Sequence, residues 1–152
     1  MINISLYEAG INDKGVFDNM MQLYLHDLSA YVDYELGAKG RFQQSKTTIY
    51  MGSIGTKTYI IHSEYRIYGF MVVSIEPETL VLRDFFVLRK WRRQSVAKSM
   101  IMELLTRKNQ LRYTYDSRIE SGNSFWRSFE DDEKVNIAFE ENGGETTVTV
   151  SL

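Results

Sequence analysis

A chain of 152 residues with 43% hydrophobic and 25% charged residues suits one globular domain that buries roughly two-thirds of its unfolded surface, and it excludes a disordered polypeptide. Cysteine is absent and the two histidines are well separated, which removes a disulfide framework, a thiolate nucleophile and a cysteine zinc site, so no metal is expected. The formal net charge of −2 argues against general nucleic-acid binding; no stretch has the apolar length of a bilayer span, and Met1 to Glu8 lacks a basic segment followed by a long apolar run, so a cytoplasmic chain folding alone or as a homodimer is expected.

Ile2 to Tyr7 alternates apolar and polar residues and reads as a strand, and Asn12-Asp13-Lys14-Gly15 supplies turn and helix-start chemistry. Phe17, Met20, Met21, Tyr24, Leu28 and Tyr31 recur at three- and four-residue steps. That spacing predicts an amphipathic helix from Phe17 to Tyr34, with these side chains on the core and His26 in solvent. From Leu36 to Lys57 the pattern breaks up around Gly37, Gly40, Gly52 and Gly55, an irregular excursion of the kind that carries specificity. Gly52-Ser53-Ile54-Gly55 lacks the extra residue that a nucleophile elbow places before its serine, so hydrolase chemistry is set aside.

Thr58 to Ser63 and Ile67 to Ile75 read as an antiparallel hairpin joined by Glu64-Tyr65-Arg66, and Pro77 turns the chain into the next strand. Leu80 to Leu88 is apolar apart from Arg83 and Asp84, as suits a central strand covered on both faces. From Val96 onward the period becomes helical, with Val96, Met100 and Leu104 in one row and Ala97, Ile101 and Leu105 in the next. Between strand and helix lies the cationic turn Arg89-Lys90-Trp91-Arg92-Arg93-Gln94. Free N–H groups and the positive end of the helix dipole, set among guanidinium groups, form an anion site most naturally suited to phosphate. No Gly-Lys-Ser/Thr follows it as a P-loop requires, and no triple-glycine fingerprint marks a dinucleotide fold. Leu111 to Tyr115 reads as a strand and Ser121 to Phe129 as a short helix; Val135 to Phe139 and Thr146 to Leu152 close the chain as a hairpin about Asn142-Gly143-Gly144.

The run Asp84 to Lys98, DFFVLRKWRRQSVAK, resembles the acetyl-CoA-binding motif of the GNAT superfamily of N-acetyltransferases. In that motif Gln or Arg is followed by two residues, Gly, one residue, then Gly or Ala. Arg92 and Ala97 fill the first and last positions, and Ser95 stands where the family usually has glycine. The resemblance implies an α/β (α+β) fold in a single domain, a mixed and mostly antiparallel central sheet flanked by helices. It also implies direct transfer of acetyl from acetyl-CoA to an amine acceptor, with no covalent enzyme intermediate. On the same basis Phe86, Val87, Leu88, Arg92, Arg93, Gln94, Ser95, Val96, Ala97 and Lys98 bind the cofactor, with the Val87 N–H donated to the carbonyl or the pantetheine. If the turn cradles a pyrophosphate, Ser95 is expected to have helix-compatible φ and ψ and a hydroxyl directed at phosphate or the free N–H groups.

Asp84 falls where many members carry a glutamate that acts as base through water, and an acid inside an apolar strand is costly without a role. The alternative for Asp84 is simple pairing with Arg83 or a nearby lysine. Gly69-Phe70 matches a Gly-Phe on the family's preceding strand, and the first helix often walls the acceptor side. Phe125-Trp126 resembles the second family motif, but Gly122 holds its alanine position, Ile119 its asparagine position and Trp126 the place of its common tyrosine acid. Trp126 is expected to pack, which leaves Tyr113 and Tyr115 on the neighbouring strand as substitute acids.

The leading class is therefore an acetyl-CoA-dependent N-acetyltransferase, and the second is a catalytically weak or silent GNAT-fold protein that binds acyl-CoA to regulate or assemble. The missing glycine, asparagine and tyrosine favour the second. A nucleic-acid binder using the basic turn and Trp91 is weakest, since duplex binding usually takes ~6–10 phosphate contacts. Small amines, antibiotics, amino acids and protein termini all stay open as acceptors.

Overall fold

The computed structural model describes residues 3–43 and 53–152. Strand β1 is Ser5–Glu8; Ile2, expected in the same strand, lies outside the described residues. A 3-10 turn, Ile11–Asp13, leads into helix α1, Lys14–Leu28. The helix ends earlier than its apolar spacing predicts: Ser29 donates its hydroxyl to the His26 carbonyl at 2.6 Å, and the N–H groups of Ala30 and Tyr31 bond three residues back, to the carbonyls of Asp27 and Leu28 at 3.3 and 2.9 Å. Such local hydrogen bonds compete with the helical ladder, and Tyr31 is left exposed. Of the irregular excursion expected from Leu36 to Lys57, residues 44–52, Gly52 among them, lie outside the described residues, and its last two residues already belong to a strand.

The remaining elements are β2 (Thr56–Ser63), β3 (Arg66–Ile75), β4 (Leu80–Val87), a 3-10 turn (Arg89–Trp91), α2 (Val96–Arg107), β5 (Gln110–Asp116), α3 (Glu120–Arg127), β6 (Asn136–Asn142) and β7 (Glu145–Ser151). They build one seven-stranded sheet in the order β1-β2-β3-β4-β5-β7-β6, with β4 in the middle. Among the described strands only β4 and β5 run parallel, joined by the crossover through α2; the other neighbours are antiparallel. The mixed, mostly antiparallel sheet flanked by helices is thus present. Between β6 and β7, Gly143 and Gly144 have φ of 60° and 85°, the positive pair that a tight two-residue hairpin turn demands.

Strand alternation divides the core in two. On one face α1 packs Phe17, Met20, Met21, Tyr24 and Leu25 against Ile60, Phe70, Val72 and Phe86. On the other, both apolar rows of α2 and the aromatic residues Trp126 and Phe129 cover Met71, Val73, Leu80, Leu82 and Val87. Each fully buried large apolar side chain contributes roughly 1.5–3 kcal/mol, so both helical layers are held by their stripes. No helix among the described residues is long and apolar enough to cross a membrane.

Two irregularities of β4 prepare a site. Val72 pairs with Asp84 and Val73 with Leu82, so Arg83 is an extra residue, a bulge. Pairing of β4 with β5 is confined to Leu80 with Leu111, Val81 with Arg112 and Leu82 with Tyr113; beyond it, β4 pairs with β3 alone.

Candidate functional site

The unpaired edge of β4, from Arg83 to Val87, opens toward β5. N–H groups alternate between the two edges of a strand. Leu88 donates to the Tyr68 carbonyl at 2.8 Å, on the β3 side, so the Val87 N–H is directed the other way, into the opening. The side chain of Val87 is buried on the α2 face and Phe86 lies on the α1 face, so this pair presents backbone to the opening. Arg92 donates Nε to the Val87 carbonyl at 2.7 Å and lies 5.6 Å above the Phe86 ring, which fixes the end of the strand.

The turn after β4 ends at Ser95, the N-cap of α2, with φ 62° and ψ 10°. This corrects the expectation of helix-compatible φ and ψ: Ser95 is left-handed, and its side chain makes no capping hydrogen bond. Glycine adopts that conformation freely, whereas a side chain costs about 1–2 kcal/mol there, so the backbone keeps a glycine-type geometry that the residue does not favour. Arg93 is likewise left-handed, with φ 59°. Ser95→Gly is expected to stabilise the protein by about 1 kcal/mol, a rise of roughly 2–4 °C in Tm by calorimetry, after allowance for the looser unfolded chain. Ser95→Val, branched at a left-handed position, should lower it.

The turn's arginines are not equivalent. Asp27, in the last turn of α1, accepts Nη2 and Nε of Arg89 at 2.8 and 3.2 Å, and its second oxygen accepts Nη2 of Arg92. Burial pushes the Asp27 carboxyl up, but the hydrogen bonds from Arg92 and Arg89 outweigh it and hold the group below its usual range. Since the folded carboxyl is the more acidic, its contribution is present above the unfolded carboxylate range and lost as pH falls through the folded value. Asp27→Asn is therefore expected to flatten the acid side of the Tm-against-pH curve, measurable by thermal melts between about pH 3 and 6.

The other predicted cofactor residues divide by place. Gln94 is exposed and donates to the Lys90 carbonyl at 2.9 Å. Val96 is core and Ala97 half-buried, so their N–H groups face the turn rather than their side chains. Lys98 donates to the Ser128 carbonyl at 3.2 Å, pairs with Asp132 at 3.3 Å and lies 4.9 Å from the Phe129 ring, tying α2 to the end of α3.

Asp84 is 4% exposed and accepts the Tyr24 hydroxyl on Oδ1 at 2.6 Å, the length of a charge-assisted bond. The bulge makes this possible. Without its extra residue, the alternation that puts Leu82 on the α2 face would put Asp84 there too; with it, Asp84 meets α1. Arg83, the alternative partner, donates Nε to the Ser74 hydroxyl at 2.9 Å. On the opposing strand, burial pushes the Tyr113 phenol well above its usual range, and the charges of Asp84 and Tyr115 push the same way. Burial also raises Tyr115, whose hydroxyl donates to Asn123 Oδ1 at 2.8 Å. Phe125 reaches from α3 to within 5.9 Å of the Phe85 ring, and Trp126 is 1% exposed, a packing residue.

No protein-family model and no curated protein matches the chain. Among solved structures, an acetyltransferase from Thermus thermophilus superposes with a TM-score of 0.77 over 99% of this chain and 98% of that one, at 10% identity. A GNAT family acetyltransferase from Elizabethkingia anophelis, solved with acetyl-CoA bound, covers 100% of both chains with a TM-score of 0.62 at 13% identity. The chain has the GNAT fold. PaiA N-acetyltransferase from Thermoplasma acidophilum, in complex with coenzyme A, matches with a TM-score of 0.68 at 8% identity, over 99% of this chain and 100% of that one.

Within this GNAT fold the second-motif departures acquire places. Asn123 links Tyr115 to the Ser117 carbonyl at 3.0 Å, inside the β5–α3 connection. Sequence reasoning missed two residues, Tyr24 and Asp27. Tyr24 sits in a stripe that phenylalanine would fill equally well. Asp27 carried a legible signal, because an acid in the last turn of a helix opposes the helix dipole and calls for cationic partners.

Proposed function

We propose that the chain is an acetyl-CoA-dependent N-acetyltransferase that passes acetyl directly from the thioester to an amine. The observation carrying this reading is the open edge of β4, which presents the Val87 N–H three residues beyond buried Asp84 and runs into the N-terminus of α2. The residues fit an acyl-CoA. A pyrophosphate suits the N–H groups of the first turn of α2 with Arg93 alongside, and Arg92 holds the strand end through Val87.

In the transfer, the Val87 N–H donates to the thioester carbonyl oxygen and stabilises the negative charge that grows there. Asp84, directly or through water, takes the proton of the attacking amine as the C–N bond forms. Tyr113, kept protonated by burial, is the candidate on β5 to return a proton to sulfur as the C–S bond breaks. The acceptor is an amine whose wall includes α1. Arg93→Ala should weaken CoA by about tenfold and leave a pantetheine fragment unaffected, read by titration calorimetry, because a charge-assisted bond to phosphate is worth roughly 1.5–3 kcal/mol.

A second reading, an acyl-CoA-binding protein that does not catalyse, is favoured by burial of Trp126 where the family's acid is common. Thermal shift with acetyl-CoA, CoA and an oligonucleotide, then thiol release with a panel of amines, tests both. Acetyl-CoA at one hundred times its dissociation constant should stabilise by about 2.7 kcal/mol. Stabilisation without thiol release from any amine would favour the second reading, and stabilisation by the oligonucleotide alone would sink both.

A further inference from the structure

We infer that Tyr24 is a positioning residue for Asp84, its hydroxyl holding the carboxylate in the orientation that the β4 bulge creates. This rests on the acetyltransferase reading, in which Asp84 is the base. The ring of Tyr24 is only 8% exposed and is locked edge-on to Phe70 at 5.5 Å, interplanar angle 89°, and against Phe86 at 5.8 Å. Phenylalanine would make the same ring contacts, so packing explains the ring and not the hydroxyl. A hydroxyl carried into an apolar layer costs free energy unless it is hydrogen-bonded, as does a buried carboxylate, and here each satisfies the other at 2.6 Å across 60 residues of sequence.

The groups around the carboxylate come from three elements. Tyr24 approaches from α1, Tyr113 feels its charge from β5, and Arg83 on β4 itself is turned to Ser74 of β3. Tyr24 and Asp27 are three residues apart on α1 and so neighbours on its surface. One helix therefore holds both the proposed base and, through Asp27, Arg89 and Arg92 of the cofactor turn.

The test compares wild type, Tyr24→Phe and a chain carrying 3-fluorotyrosine at position 24, whose more acidic hydroxyl is a stronger donor of similar shape. Three readouts are needed: kcat, KM for the amine, and the acetyl-CoA dissociation constant. Tyr24→Phe should lower kcat by about tenfold while KM and the acetyl-CoA constant stay within about threefold, because the lost hydrogen bond is made to the base and not to either substrate. Fluorotyrosine, which keeps the donor, should hold kcat within about threefold of wild type. An unchanged kcat in Tyr24→Phe, or an equal loss in the fluorotyrosine chain, overturns the inference while leaving the transferase reading intact. If wild type releases no thiol with any amine, the transferase reading fails instead, and the inference falls with it.

Discussion

Gly69→Ala is expected to destabilise the protein by about 3 kcal/mol, a fall of roughly 6–12 °C in Tm. A Cβ built on Gly69 would lie 1.8 Å from the Phe86 carbonyl oxygen, 2.8 Å from its carbon and 3.0 Å from the Val87 Cα. All three are backbone atoms of β4 and have no rotamer through which to escape. Relief requires parting β3 from β4 where Tyr68 holds the Leu88 N–H, and that bond is what turns the Val87 N–H toward the opening. The variant should therefore lose acetyl-CoA affinity as well as stability, and a melt within about 2 °C of wild type would show that the strands yield freely.

Asp84→Asn should lower kcat/KM by about 10²- to 10⁴-fold, the usual reach of general base catalysis, while acetyl-CoA affinity changes by less than about threefold. The amide keeps an oxygen to accept the Tyr24 hydroxyl, so the layer between α1 and the sheet stays satisfied and the fold should survive. Removing the charge also removes one of the influences that raise the Tyr113 phenol, so its spectrophotometric titration should begin at lower pH. An unchanged rate accompanied by a lower Tm would assign Asp84 to structure alone.

Much of this architecture was legible because it is written in local periods. The two rows of α2 and the doubly covered β4 follow from side-chain spacing alone, and each lies within a residue or so of where that spacing puts it. The bulge at Arg83 was not legible, because it is a relation between β4 and β3 whose register no single strand encodes. Ser95 shows the opposite failure. Its residue type suggested an ordinary cap, yet the path from the end of β4 into α2 imposes left-handed backbone that serine does not prefer. Tyr24 and Asp84 are 60 residues apart, so their bond becomes visible only once α1 lies on the sheet.

The limited pairing of β4 with β5 also has a mechanical meaning. The sheet consists of two leaves, β1 to β4 and β5 to β7, stitched at one end by Leu80–Leu111, Val81–Arg112 and Leu82–Tyr113. That end is reinforced by the Thr79 hydroxyl donating to Gln110 at 2.9 Å and by Arg112 paired with Glu76 at 3.3 Å. The seam therefore acts as a clasp, and beyond it β4 and β5 do not pair. A molecule lying between them and accepting from Val87 would serve as a missing strand. Amide exchange at Phe85 and Val87 should then slow when acetyl-CoA is added, whereas the amides of the clasp, already paired, should be slow throughout.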